Sequence, residues 1–161
     1  MIQLRLQEGY CIDTSALIDM HTNHYPPDIF PGLWKDLESL IDQGLLIAPD
    51  EVFHEICVKD DGLAKWGKSN KKMFIPLDAD QSQEVSRILE KFPGLVDQNK
   101  TIPEADPFLI ALAKCRAWTV VTSERPNNSP VKPKIPNVCK SLNVRWIRLL
   151  EFFREIELRY K

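Results

Sequence analysis

Four acidic residues have the types and the spacing from which a metal centre can be built. Carboxylate oxygens are the ligands that Mg²⁺ and Mn²⁺ prefer in proteins. Such an ion can polarise a phosphoryl oxygen, lower the pKa of a bound water and neutralise charge on the leaving oxygen. The chemistry that these residues would support is therefore hydrolysis of a phosphodiester. The four candidates are Asp13, Glu55, Asp106 and Glu124.

Each of these acids also has an ordinary structural interpretation. Asp13 has the residue type that caps a helix by accepting hydrogen bonds from free backbone N–H groups. Asp106, followed by Pro107, fits the start of a helix in the same way. Taken singly, Glu55 could be a helix surface residue and Glu124 a loop acid. The set of four, and no single member of it, predicts a functional site.

The elements that must position the acids follow from the apolar patterning. Short apolar runs predict strands at residues 9–12, 45–48, 74–75, 119–122 and 144–147. Helices are predicted at 14 to about 20, 31–43, 51 to about 59 or onward toward 72, 85–92, 106 to about 117, 138–142 and 149–160. Residues 125–137 carry four prolines without periodicity, which predicts a loop.

Strands that alternate with helices imply a parallel sheet covered on both faces. The predicted fold class is therefore α/β, a three-layer sandwich with a central, mainly parallel sheet between two layers of helices. No internal repeat or linker divides the chain, so residues 1–161 are predicted to form a single domain.

In open α/β sheets the functional crevice lies outside the carboxyl ends of the strands. Asp13 directly follows the first predicted strand, and Glu124 lies just beyond the fourth. Asp106 lies at the mouth of a helix that runs back along the sheet, and Glu55 lies one turn into the helix after the second strand. Four like charges at one edge would repel one another strongly unless a cation lay among them.

The net charge, the apolar runs and the cysteines argue against several classes of protein. A formal net charge of −2 weighs mildly against a nucleic-acid binder, since such proteins usually carry a basic surface. No run approaches the roughly 20 apolar residues of a membrane span, and the N-terminus lacks the apolar core of a signal peptide. The four cysteines form no CxxC pair and are interpreted as buried apolar residues. A cytoplasmic protein without membrane contact is expected.

The segments YCIDTSALIDM, DEVFHEI, ADPFLIALA and TVVTSE resemble, in this order and at these separations, the PIN-domain nucleases. The resemblance spans nearly the whole chain. The family is marked by an acid after the first strand, a Glu on an early helix, an Asp at the start of a later helix, and an acid two residues after a Thr that closes the next strand. The matching positions are Asp13, Glu55, Asp106 and Glu124. The fourth acid is commonly Asp, so Glu124 is a departure.

The resemblance implies a Mg²⁺- or Mn²⁺-dependent endoribonuclease similar to the toxins of VapBC-type toxin–antitoxin pairs. It implies that Asp13 and Asp106 hold the ion and that Glu124 completes the ligands. Glu55 would either bind a second ion or orient the attacking water. It further implies RNA as substrate, an antitoxin protein as partner and a homodimer.

Two further groups of residues accompany the acids. Ser15 and Thr122 are expected to hold the ligands in position through hydrogen bonds. Basic side chains are expected to contact phosphates of the nucleic acid without distinguishing its sequence. The candidates for phosphate contact are Arg125, Lys65, Lys68, Lys71 and Lys72.

Two other functions fit the same pattern. A Mg²⁺-binding phospho-acceptor or binding module on a doubly wound sheet would also collect acids at strand ends, but response-regulator receivers need a Lys after a late strand, where this chain has Arg125. A catalytically inactive PIN-like scaffold is the second alternative. Arg125 disfavours the phospho-acceptor, and the presence of four acids disfavours the inactive scaffold.

Overall fold

The computed structural model describes residues 8–100 and 103–158. In this part of the chain five strands alternate with eight α-helices. The strands are β1 (Tyr10–Ile12), β2 (Leu46–Pro49), β3 (Phe74–Ile75), β4 (Thr119–Val121) and β5 (Trp146–Ile147). The helices are α1 (Thr14–Ile18), α2 (Pro31–Asp42), α3 (Asp50–Lys59), α4 (Asp61–Ser69), α5 (Ala79–Lys91), α6 (Asp106–Arg116), α7 (Ile135–Ser141) and α8 (Leu149–Glu155).

The strands form one sheet in the order β3-β2-β1-β4-β5, and every pairing is parallel. Successive strand residues point to opposite faces, so Ile12 joins the core beneath α1, α2, α3 and α8, while Cys11 joins the core beneath α5, α6 and α7. Both faces are therefore covered by helices. The predicted three-layer α/β sandwich is confirmed.

Strand order fixes the position of the crevice. The chain builds outward from β1 to β2 and β3, then returns to the other side of β1 for β4 and β5. The order reverses between β1 and β4, and in doubly wound sheets ligands bind at such a switch point. The carboxyl ends of these two strands lead directly into Asp13 and Thr122.

Several predicted boundaries are wrong for local reasons. Helix α3 ends at Lys59, which confirms the nearer of the two predicted ends. It does not continue toward residue 72, because Asp60 has an extended backbone and caps a new helix, accepting a hydrogen bond from Leu63 N at 3.0 Å. Helix α7 begins at Ile135, inside the predicted loop, since Pro136 suits a first helical turn. Helix α8 ends at Glu155; residues 156–158 are not helical, and 159–160 lie outside the described residues.

The rest of the proline-rich segment, residues 125–134, is irregular as predicted and packs closely on Gly94. A Cβ atom on Gly94 would lie 1.5 Å from the carbonyl oxygen of Val131. Only a residue without a side chain permits this approach. Gly94 therefore fixes the position of the segment that forms one wall beside the crevice.

Two expectations from composition are also addressed by the structure. Among the described residues, no helix combines the length and the apolar character needed to cross a membrane. Cys11 and Cys139 are buried as predicted, but Cys115 is exposed near the end of α6, where the polar face of the helix reaches solvent. The interpretation of all four cysteines as buried residues is therefore wrong.

Candidate functional site

Asp13 is held at the end of β1 by hydrogen bonds to both of its carboxylate oxygens. Its Oδ1 accepts from Ala16 N at 2.8 Å, so it caps α1, and its Oδ2 accepts from Thr122 Oγ1 at 2.7 Å. The Ser15 hydroxyl lies 2.9 and 2.8 Å from the two oxygens. The side chain is only 3% exposed. Asp13 therefore caps α1 and also belongs to the acidic site.

Burial dominates the electrostatics of Asp13. Removal from water raises the pKa of the carboxyl from 3.8 to about 7, against the opposing effect of the hydrogen bonds from Thr122, Ala16 and Ser15. The charge of Glu124 raises it further. Holding this group ionised at neutral pH is therefore costly, and a nearby cation would offset the cost.

Ser15 and Thr122 link the ends of the two central strands. Besides contacting Asp13, Ser15 Oγ accepts a hydrogen bond from Ser123 N at 3.2 Å. Thr122 Oγ1 accepts one from Glu124 N at 3.0 Å. Both residues therefore contact an acid of the set, as expected for supporting residues, and they fix the backbone after β4 relative to β1.

Asp106 differs from Asp13 in having no hydrogen bond or ion pair with any described residue. The N-cap of α6 is Ala105, and Asp106 is the first helical residue, so its carboxylate does not cap the helix. Burial raises the pKa of Asp106 well above its usual value, and the charges of Glu124, Asp13 and Glu55 raise it further. The purely structural interpretation of Asp106 is therefore not supported.

Glu55 lies on α3 with its side chain 16% exposed, next to the buried Val52 and Ile56. Its Oε1 accepts a hydrogen bond from Thr14 Oγ1 at 2.6 Å. Its Oε2 lies 3.9 Å from Lys59 Nζ, one turn along the helix. Glu55 therefore faces the same end of the sheet as Asp13 and keeps one oxygen only weakly engaged.

Glu124 has a structural contact that its sequence position did not indicate. Its Oε2 accepts a hydrogen bond from Ile135 N at 2.9 Å, across the proline-rich segment. The longer side chain of Glu reaches the first turn of α7. Glu124 thus anchors the segment, and its Oε1 makes no hydrogen bond with a described residue.

All four predicted acids line a single open cleft of about 340 Å³. Asp19 and Glu104 add two more carboxylates, and Lys59 and Lys100 are the basic side chains of the same wall. Six acids against two lysines leave up to four negative charges without a partner of opposite sign. Within the described residues, however, no three His, Cys, Asp or Glu side chains already have a geometry that could hold a metal ion.

Sequence reasoning missed Thr14, Asp19 and Glu104. Thr14 is the middle residue of Asp-Thr-Ser, and only the packing of α1 against α3 places its hydroxyl on Glu55. Glu104 pairs with Lys100 at 2.7 Å and accepts a hydrogen bond from Asp97 N at 3.1 Å, which stabilises the segment before α6. The sequence signal that could have identified Glu104 is its position two residues before Asp106.

The predicted lysine contacts are not brought to the cleft. Lys72 pairs with Asp42, and Lys71 lies in the turn that enters the amino end of β3, opposite the carboxyl ends of the strands. Lys65 and Lys68 are on α4. They line neither this acidic cleft nor the two clefts that adjoin it. Arg125 does not line the acidic cleft either and lies in a second cleft beside it.

Comparison with known proteins places the chain in a family without assigning an activity. No curated protein matches it. Residues 10–160 match the family model DUF4411, described as a domain of unknown function. Because this match covers almost the whole sequence, the chain belongs to the DUF4411 family.

Proposed function

We propose that this protein is a divalent-metal-dependent endoribonuclease that hydrolyses RNA phosphodiester bonds. The observation that carries the proposal is the cleft at the β1/β4 switch point, where six carboxylates face two lysines. The side chain of Asp106 has no hydrogen-bond or ion-pair partner among the described residues, although it is partly buried and close to four other acids. The resemblance of the sequence to PIN-domain nucleases supports the same activity and favours RNA as the substrate.

The donor set fits a hard cation. All candidate ligands are carboxylate oxygens, which favour Mg²⁺ or Mn²⁺ over softer metals. Asp13, Asp106 and the free oxygen of Glu124 are the proposed ligands. The cation would offset the burial, and the lesser like-charge repulsion, that raise the pKa values of both aspartates. When bound, it would supply charge neutralisation at the phosphate and a more acidic water.

The chain's own residues would orient the reactants. Thr122 and Ser15 hold the carboxylate of Asp13 in one orientation, and Thr14 does so for Glu55. Glu55 Oε2 is the proposed acceptor of the proton from the attacking water, whose oxygen forms the new bond to phosphorus as the ester P–O bond breaks. Lys59 and Lys100 line the cleft and would add positive charge there, while the departing oxygen takes a proton from solvent.

A toxin–antitoxin role follows from the resemblance alone. On that basis we propose that an antitoxin protein covers the acidic cleft and silences the enzyme in the cytoplasm, and that the protein forms a homodimer. A short reading frame beside the gene that encodes a DNA-binding protein would support this role. Copurification of the two proteins as a complex that does not cleave RNA would test it.

The activity is tested by incubating the purified protein with structured RNA and with single-stranded DNA, in Mn²⁺ or in EDTA. We expect cleavage of RNA in Mn²⁺ only. Asp106→Asn should abolish cleavage, and Asp28→Asn, at an exposed site away from the cleft, is the matched control. Folded protein that cleaves neither substrate would contradict the proposal and favour a scaffold. Cleavage that survives EDTA would contradict the role of the metal.

A further inference from the structure

A second cleft adjoins the acidic cleft and differs from it in having two arginines among its lining residues. It has a volume of about 420 Å³, and Asp19 lines both cavities. Its other charged or polar residues include Ser123, His24, Arg125, Arg148 and Glu151. We name it the arginine cleft. It lies beside α8 and the start of the proline-rich segment, which contributes Arg125.

Arg148 has an unmet hydrogen-bonding group in this cleft. Its Nε atom is buried and has no hydrogen-bond partner among the described residues. Buried polar groups are paired with few exceptions, and an unpaired one calls for a ligand or water that accepts its hydrogen. The planar guanidinium donates in parallel to two oxygens, which matches a phosphate or carboxylate.

Arg125 adds a second guanidinium that has no ion pair with any described residue. Neither acid of the arginine cleft forms an ion pair with Arg125 or Arg148 among the described residues. Asp19 accepts a hydrogen bond from Asn23 Nδ2 at 2.7 Å, and Glu151 Oε1 accepts one from the backbone N of Arg148 at 3.5 Å. Both arginines therefore lack an acidic partner and can pair with an anion bound in this cleft.

The two clefts are joined by a fixed piece of backbone. Ser123 N donates to Ser15 Oγ, which in turn contacts Asp13. Arg125 follows two residues later, so its position is set relative to the acids. On the other side, a cleft of about 790 Å³ shares Asp106 and Glu124 with the acidic cleft. Its wall carries Lys132 and Lys134.

We propose that Arg125 and Arg148 bind a backbone phosphate of a single RNA strand, next to the phosphate that lies in the acidic cleft. The proposal rests on the proposed nuclease function and adds the course of the substrate. A flexible single strand can place successive phosphates in adjoining clefts, whereas a duplex holds its phosphates in fixed rows. The contact would set the position of the strand and carry no sequence preference.

The test measures binding without cleavage. Fluorescence anisotropy of a labelled oligouridylate is recorded in EDTA over a series of salt concentrations. Arg125→Gln and Arg148→Gln should each weaken binding about tenfold and reduce the slope of log K against log salt by about 0.7. Arg154→Gln, on the same helix α8 but outside the cleft, should bind like the parent protein. Arg148→Lys should restore the salt slope.

A second arm keeps the test decisive if Arg148→Gln does not fold. In a set of oligonucleotides, a different single phosphate is replaced in each by a neutral methylphosphonate. Replacement at one position should weaken binding to the parent protein but not to Arg125→Gln. Equal binding by the arginine variants and Arg154→Gln would overturn the proposal. So would binding of polyglutamate without binding of RNA, which would assign the cleft to an acidic protein partner. RNA binding that depends on both arginines, without any cleavage in Mn²⁺, would refute the nuclease and retain the phosphate site.

Discussion

Asp13 makes the stability of the metal-free protein depend on pH in an unusual direction. Its pKa is about 7 in the folded protein against 3.8 for an ordinary carboxyl. Between these values the folded chain binds a proton that the unfolded chain has released, so the free energy of unfolding falls as pH rises. The contribution is complete below pH 3.8 and is lost as pH rises through about 7.

The magnitude follows from the same two values. Each pKa unit corresponds to about 1.36 kcal/mol, so the loss between pH 4 and pH 8 is about 4 kcal/mol at most. That is a large fraction of the 5–15 kcal/mol that is typical of a folded domain. Other carboxyls act in the opposite direction, since hydrogen bonds and nearby charges lower the pKa values of Asp60, Asp78 and Glu155. A difference between two proteins is therefore the quantity to measure.

The comparison is between the parent protein and Asp13→Asn, unfolded with urea in EDTA at a series of pH values. Asn retains an oxygen to cap α1 but carries no charge. We expect the parent protein to lose stability relative to the variant as pH rises from 4 to 8. A difference that does not change with pH would refute the reasoning, because the burial of an ionised carboxylate would then have no cost.

Three further outcomes are expected from other parts of the site. Mg²⁺ at about 100 times its Kd should stabilise the parent protein and the control Asp28→Asn by roughly 2.7 kcal/mol in thermal unfolding. It should not stabilise Asp106→Asn, and equal stabilisation of all three proteins would contradict a site at Asp106. Thr122→Val should cost about 1–3 kcal/mol by removing a buried hydroxyl, and NMR titration should show the pKa of Asp13 raised further; an unchanged pKa would contradict the hydrogen bond's role. Gly94→Ala should cost roughly 1–3 kcal/mol by displacing Val131, as measured by urea unfolding; unchanged stability would contradict the close packing.

The sequence predicted the architecture well because strands and helices leave a periodic signal. Asp13 and Glu124 could be assigned to strand ends because β-branched and apolar runs directly precede them. Contacts between distant segments leave no such signal. The pairing of Lys72 with Asp42 and the hydrogen bond from Ile135 N to Glu124 each join separate elements of the fold, so neither was anticipated from the sequence.

The two central aspartates differ in a way that separates their roles. Asp13 accepts hydrogen bonds on both oxygens and is almost wholly buried, so its position is set before any ligand arrives. Asp106 has no described partner, so its side chain is free to turn toward a cation. In the proposed metal site, one ligand would be rigid and the other would adjust, which would reduce the like-charge repulsion in the absence of metal. Asp106→Glu should therefore retain more metal-dependent stabilisation than Asp13→Glu, where the longer side chain would break the hydrogen bonds to Thr122 and Ala16. Equal losses in the two variants would contradict this division.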